Sequence, residues 1–369
     1  MTAVLGSTIE SRLRADLERV PPLDIAAMAG AAAGLDRLTK PPGSLGRLEA
    51  LVIQLAGITG RLDAAVDARA ILVAAGDHGV TAQGVSAYPA EVTAQMVANF
   101  VAGGAAINVL SRAAGARVVV LDVGVARPIP EGTPDPVRGG RLVTARVRAG
   151  TADMTLEPAM TRNEALAAID AGRRLVAEMR AEHAGLDLLG VGEMGIGNTT
   201  AASALSAVFT GAPVDAVTGP GTGIDETGRR RKVAVIEAAL ALHDPDPADP
   251  VGVLAAVGGL EIAALVGAIV EAAVARIPVV LDGFISTAAA LVACALQPAV
   301  AARTIAAHRS TEPGHRLVLE HLGLSPVVDL DLRLGEASGA AVAIGIVAAA
   351  VAIRDGMATF DSAGVAGPA

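Results

Sequence analysis

A parallel α/β sheet with helices on both faces, joined to a small helical domain, is the fold this sequence predicts, and three observations predict it. Five apolar runs of strand length each lead into glycine and an acid: Ala70–Ala75 before Gly76-Asp77, Arg117–Gly124, Leu186–Gly192, Ile277–Gly283 and Val327–Glu336. Helical stretches lie between them, at 90–114, 162–183, 199–209, 229–242, 254–276 and 286–296. The runs are apolar almost throughout instead of alternating, the pattern of strands buried on both faces. Residues 1–60 and the last helix, within 337–369, lack strands of their own and are assigned to the helical domain; residues 61–336 form the parallel α/β domain.

Taken in order, Ile9–Val20 reads as an amphipathic helix that Pro21-Pro22 breaks before Leu23–Leu35 resumes it. In Leu38–Glu49, Pro41, Pro42 and Gly43 force an extended turn, and Ser44 is placed to cap a helix running through Gly57. Pro128–Gly140 and His243–Pro250 are polar, proline-punctuated excursions, and Asp361–Ala369 is expected to be a frayed tail.

Composition narrows the partners. The formal charge of -9 over 369 residues, with no long basic run, argues against nucleic acid or an anionic membrane, so a small ligand is expected. The lone Cys294 excludes an internal disulfide and a cysteine-based metal cluster, which fits a cytoplasmic protein; its apolar flanks suggest an inert core thiol. Mean hydropathy is +0.53. The uncharged windows Gly283–Ala302 and Ala337–Ile353 are nevertheless Ala-rich, and the second falls short of the roughly 20 residues that span a bilayer. Both read as buried helices packed through small side chains. The first 14 residues contain Glu10 and no apolar segment, so no signal peptide is expected.

The densest signal is Leu186–Thr200, where an apolar run stops at a glycine-rich turn and opens into a helix. Gly190, Gly192, Gly195 and Gly197 allow sharp turning and close approach to a ligand, Asn198, Thr199 and Thr200 can cap the helix, and the helix N-terminus attracts anions. Glu193 opposes a phosphate held there and suits the reacting end of the ligand. The segment also matches G-x-G-x-x-G, with Asp215 near the spacing of a ribose-binding acid, which keeps an NAD-dependent oxidoreductase and a nucleotide sensor open as rivals. Glu193 would face a pyrophosphate and speaks against the first.

A second glycine loop, Thr218–Gly223, precedes Gly228-Arg-Arg-Arg-Lys-Val233. The basic run is either a solvated face or the source of a cation, Lys232, that neutralises a phosphate. His78, His308 and His315 lack metal-ligand spacing, so no metal is expected, and Ser310 near His308 lacks a nucleophile elbow. Asp331 and Glu336 close the last run before an uncharged helix. Partial burial there would raise a carboxylate pKa toward that of a general base, although a glutamate at a helix N-terminus is equally well explained by the dipole.

Together, Leu38–Glu49, Gly76–Val80 with Gly84–Pro89, Gly192–Thr200, His308–Ser310 and Gly335–Gly339 make the chain, from about residue 20 to 355, resemble the nicotinate-nucleotide–dimethylbenzimidazole phosphoribosyltransferase family. The resemblance implies a parallel Rossmann-like sheet plus a small helical domain, in a homodimer that transfers the phosphoribosyl group of nicotinate mononucleotide to 5,6-dimethylbenzimidazole. Because the nucleotide carries its own leaving group as a pyridinium, no cofactor or metal is expected. The resemblance places the catalytic glutamate on Glu336; Glu193, from the reading of its own loop, is the second catalytic candidate. Phosphate binding falls on Gly192, Gly195, Ile196, Gly197, Asn198 and Thr199 with Lys232, Ser310 joins the substrate site, and the base pocket falls on Ser86, Tyr88 and Gln95. With one Tyr, four Phe and no Trp in the chain, Met and Leu contacts must dominate that pocket.

Overall fold

The computed structural model describes residues 2–130, 135 and 137–367, so parts of the Pro128–Gly140 excursion and of the C-terminal tail lie outside the described residues. The chain begins with α1 (Thr2–Glu18), α2 (Ile25–Asp36) and α3 (Arg47–Thr59). It continues with β1 (Arg69–Gly76), α4 (Glu91–Ala102), α5 (Ala106–Ala113), β2 (Ala116–Gly124), β3 (Arg141–Thr144), α6 (Arg162–Ala181) and β4 (Leu188–Met194). Next come α7 (Asn198–Thr210), α8 (Val214–Val217), α9 (Glu226–His243), α10 (Pro250–Val257) and α11 (Leu260–Val274). The last are β5 (Val279–Leu281), α12 (Phe284–Leu296), β6 (Thr304–Ala306), α13 (Pro313–Leu322), α14 (Ser338–Gly356) and α15 (Phe360–Ala363).

Among the described residues six strands form one parallel sheet in the order β3-β2-β1-β4-β5-β6. Side-chain alternation splits β1 between two cores. Ala70, Leu72 and Ala74 join α6, α11 and α12 on one face, and Ile71, Val73 and Ala75 join α3, α4 and α14 on the other. On the first face α6 and α11 touch backbone to backbone: a Cβ on Gly172 would lie 2.7 Å from the carbonyl carbon of Ala264, and one on Gly267 would lie 2.7 Å from that of Ile169.

Several expectations change. Val327–Glu336 is not a strand; it lies beside β6 through a single bridge, Val328 to His308, because charged residues interrupt it and Asp331 adopts a left-handed φ of 54°. β3 and β6, four and three residues long, were too short to register as apolar runs. The stretches 90–114 and 254–276 each divide in two, at Gly103-Gly104 and Gly258-Gly259. Ser44 does not cap α3, whose N-cap is Gly46; Glu49 instead accepts from the Leu45 N–H at 2.9 Å and pairs with Lys40 at 2.8 Å.

The terminal segments meet in part. α3 packs on α14, α2 on α3, and Leu38 bridges to Thr359. α1 lies on the opposite face of the sheet, where Ile9, Leu13 and Leu17 pack into the α6–α11 core and Asp16 pairs with Arg173 at 2.8 Å. By length and composition, 91–113 and α14 could each cross a membrane; the first is two helices broken at Gly103-Gly104, and α14 buries Ile344, Val347 and Val351 in the second core.

Candidate active site

Where strand order reverses, between β1 and β4, the loops diverge and leave a crevice at the carboxyl ends of the strands. A cavity of about 440 Å³ opens there. Its walls come from the end of β4 and the following turn (Glu193, Ile196), the end of β5 (Asp282), the segment after β6 (His308, Ser310) and the turn before α14 (Glu336).

One end is acidic. Gly335, Glu336 and Ala337 take successive positive φ values of 83°, 61° and 65°, a tight left-handed turn that the Glu336 N–H ties to the Glu193 carbonyl at 3.3 Å. Strain of this kind at two non-glycine residues persists only where the surroundings hold it. Here Asp282 holds it, accepting from the Ala337 N–H at 3.2 Å and the Ala340 N–H at 3.0 Å at the start of α14. Burial pushes the Glu336 carboxyl up to about 7. Burial also pushes Asp282 up to about 7, against backbone hydrogen bonds from Ala340, Gly339 and Ala337. Glu193 is raised well above its usual range, first by burial and then by the charges of Glu261 and Asp282; Asn198 donates to it from Nδ2. Beneath the loop His78 pairs with Glu261 at 2.7 Å. Burial opposes charge on this imidazole, but the Glu261 carboxylate outweighs it and raises the pKa.

Behind the Thr199–Gly221 wall lies a cation that does not itself line the cavity. Lys232 on α9 is fully buried and donates from Nζ to Thr199 Oγ1 at 2.6 Å. Burial pushes its ammonium down to about 8, with the nearby Glu312 charge acting in the opposite sense. The basic run is thus divided: Arg229 pairs with Asp215 and Glu226, Arg230 with Glu226, and Lys232 turns inward. The second glycine loop closes over it, since a Cβ on Gly221 would lie 3.2 Å from Lys232 Nζ, and Glu312 Oε1 accepts from the Gly221 N–H at 2.8 Å.

The wall between is apolar, with Val92, Met96, Met194, Ile285 and Leu334 beside a Tyr88 that is 55% exposed. The structure brings together Tyr88, Glu193, Gly195, Ile196, Asn198, Thr199, Ser310 and Glu336 as cavity wall. Ser86 stands just behind it, hydrogen-bonded at 3.1 Å to Thr222 Oγ1, which joins the 84–89 segment to the second glycine loop. Gln95 does not reach the wall: it is on the exposed side of α4, whose inner side presents Val92 and Met96.

Gly192 does not face the cavity either. It and Gly190 sit inside β4, where a Cβ on Gly192 would lie 2.5 Å from Ala337 Cα and one on Gly190 would lie 3.0 Å from Ile344 Cδ1. The G-x-G-x-x-G spacing therefore serves helix packing, and the turn is Gly195-Ile196-Gly197, with Gly197 (φ 95°) as the N-cap of α7 in place of Asn198, Thr199 or Thr200. Asp215 is an exposed ion-pair partner of Arg229, not a ribose ligand in this crevice. His308 lines the cavity as well, and so do Asp282, Glu312, Thr222 and the exposed Arg333, none of which the sequence reading assigns to the site. Asp282 ends an apolar run that leads into an acid and a glycine, as the other runs do in varying order, a signal that could have found it.

The fold and this cavity define a class: an α/β nucleotide-binding protein with carboxylates on its crevice wall and a buried cation behind the Thr199–Gly221 loops. A family model described as "Phosphoribosyltransferase" matches residues 20–365. A nicotinate-nucleotide–dimethylbenzimidazole phosphoribosyltransferase of Roseiflexus sp. (strain RS-1) is 54% identical, covering 97% of this chain and 99% of the relative. One of Geobacter sulfurreducens is 51% identical, covering 95% and 97%. The crystal structure of the enzyme of that name from Thermus thermophilus superposes with a TM-score of 0.85 at 47% identity, covering 94% of this chain and 100% of that one. The chain belongs to the nicotinate-nucleotide–dimethylbenzimidazole phosphoribosyltransferase family.

Proposed function

We propose that the chain transfers the 5-phosphoribosyl group of nicotinate mononucleotide to 5,6-dimethylbenzimidazole, releasing nicotinate and giving α-ribazole 5′-phosphate for the lower ligand of cobalamin. The observation that carries this reading is a buried carboxylate, Glu336, on the wall of a cavity whose Thr199–Gly221 side is backed by the buried Lys232.

The phosphate sits at the Lys232–Thr199–Gly221 end, on the α7 N-terminus, where charge-assisted hydrogen bonds and the helix dipole favour a dianion. The benzimidazole lies on the Met96–Met194–Leu334 wall. Its lone-pair nitrogen attacks C1′ as the C1′–N bond breaks and the bonding pair returns to the pyridine nitrogen of nicotinate. The proton on the opposite ring nitrogen passes to Glu336. Because the leaving group departs as a neutral pyridine ring, the reaction needs no cofactor, and the protein's task is positioning plus one proton transfer. Glu193, raised in pKa and held by Asn198, is the second carboxyl at the reacting end. We further place the enzyme in the cytoplasm as a homodimer, with these two small molecules as its partners and no nucleic acid or membrane. A monomer by light scattering at micromolar concentration would overturn the dimer.

The test is chromatography of a reaction containing purified protein and both substrates. Nicotinate and the riboside phosphate should appear in equal amounts, and only when the base is present. Nicotinate release independent of the base would reduce the activity to nucleotide hydrolysis.

A further inference from the structure

We propose that Glu312 reads the ribose of the nucleotide, accepting a hydrogen bond from its 2′- or 3′-hydroxyl through Oε2; this rests on nicotinate mononucleotide being the substrate. Glu312 lines the cavity, yet is only 5% exposed. One carboxylate oxygen is committed to the Gly221 N–H at 2.8 Å, while Oε2 is buried and has no hydrogen-bond partner among the described residues. A buried acceptor left unmade is costly, so a donor is expected to arrive with the ligand.

The chemistry of the substrates says which donor. The phosphate and the nicotinate carboxylate are acceptors at neutral pH, and the single N–H of the benzimidazole goes to Glu336. The remaining donors are the two ribose hydroxyls. Other carboxylates on the wall are already engaged, Asp282 by the Ala337 and Ala340 amides and Glu193 by Asn198. Position agrees. Gly221 adjoins both Lys232 Nζ and Glu312, so a nucleotide whose phosphate lies at Lys232 carries its ribose, one methylene away, past this carboxylate. Gly219 makes room, since a Cβ there would overlap Oε2 and displace the carboxylate. A hydrogen bond to the 2′-hydroxyl also strengthens as oxocarbenium character develops at C1′, so the contact would act on kcat as well as on binding.

Glu312→Gln keeps an oxygen for the Gly221 N–H and replaces the free acceptor with a donor. The experiment compares nicotinate mononucleotide with its 2′-deoxy and 3′-deoxy analogues, in wild type and E312Q, by kcat/KM and by calorimetric Kd. In wild type one analogue should lose about tenfold to a hundredfold in kcat/KM, the cost of leaving one buried acceptor without its donor. In E312Q that penalty should shrink to within about threefold, the signature of a direct pair in a double-mutant cycle. Equal penalties in both proteins, or wild-type tolerance of both analogues, overturns the assignment while leaving the transferase reading intact. Absent turnover of nicotinate mononucleotide by wild type overturns the transferase reading, and the Kd comparison then still decides for or against Glu312.

Discussion

The acidic wall of the cavity and the Lys232 pocket behind its Thr199–Gly221 side are both buried and use burial in opposite ways. At the acidic end, Glu193, Asp282 and Glu336 crowd together with no Lys or Arg paired to them among the described residues, and desolvation raises all three. At the other end one ammonium is isolated among neutral donors and acceptors with Glu312 nearby, and desolvation lowers it. An acid raised toward 7 is a proton acceptor poised near neutral pH; a cation lowered toward 8 is a binding group short of a counter-ion. One device thus gives the first end a proton to move and the second an anion to hold.

Three substitutions sharpen that contrast. Glu336→Gln, which preserves size but cannot take a proton, should lower kcat by about 10² to 10⁴. The nucleotide Kd, by calorimetry, should change little. A proportionate loss of affinity would instead make Glu336 a binding residue. Lys232→Ala should do the reverse, weakening nicotinate mononucleotide by about tenfold to a hundredfold and leaving dimethylbenzimidazole unchanged. If nucleotide affinity survives, the phosphate is held elsewhere. Gly192→Ala tests whether the β4 glycines serve packing. Its Cβ would press on Ala337, so chemical denaturation should show a loss of about 1 to 3 kcal/mol. Unchanged stability together with weaker phosphate binding would restore the glycine to the anion site.

The smallest effect concerns the empty enzyme. A carboxyl whose folded pKa is raised favours the folded state fully only below its unfolded value of about 4.5, and this contribution is lost as pH rises through about 7. Glu336→Gln should therefore flatten the decline in stability over that window and make the ligand-free protein more stable at pH 8, by on the order of 1 kcal/mol in denaturant melts. A variant that tracks wild type across the window would show that Glu336 is solvated in solution.

What the sequence revealed and hid follows from how each feature is encoded. β1, β2 and β4 were legible because long parallel strands covered on both faces leave continuous apolar runs. β3 and β6 leave too few residues for such a run, and Val327–Glu336 imitates one while its N–H groups bond along the 306–307 segment. Glu193 and Glu336 could be picked out because each interrupts glycine-rich sequence where packing alone asks for no charge. Glu312 was passed over because its partners, Gly221 and Lys232, are far away in sequence and only the fold brings them together. Gln95 marks the converse limit: a resemblance assigns a position, while the rotation of α4 decides which of its neighbours faces the cavity.

The measurement that tests the central claim most directly is the pH dependence of kcat in wild type and Glu336→Gln, at saturating nucleotide and base. Wild-type kcat should fall below about pH 7 as Glu336 takes up its proton. The variant should be slow at every pH and should lack that limb. A variant that keeps the same limb at a reduced rate would contradict the account, remove the proton transfer from Glu336 and make Glu193 the next residue to substitute.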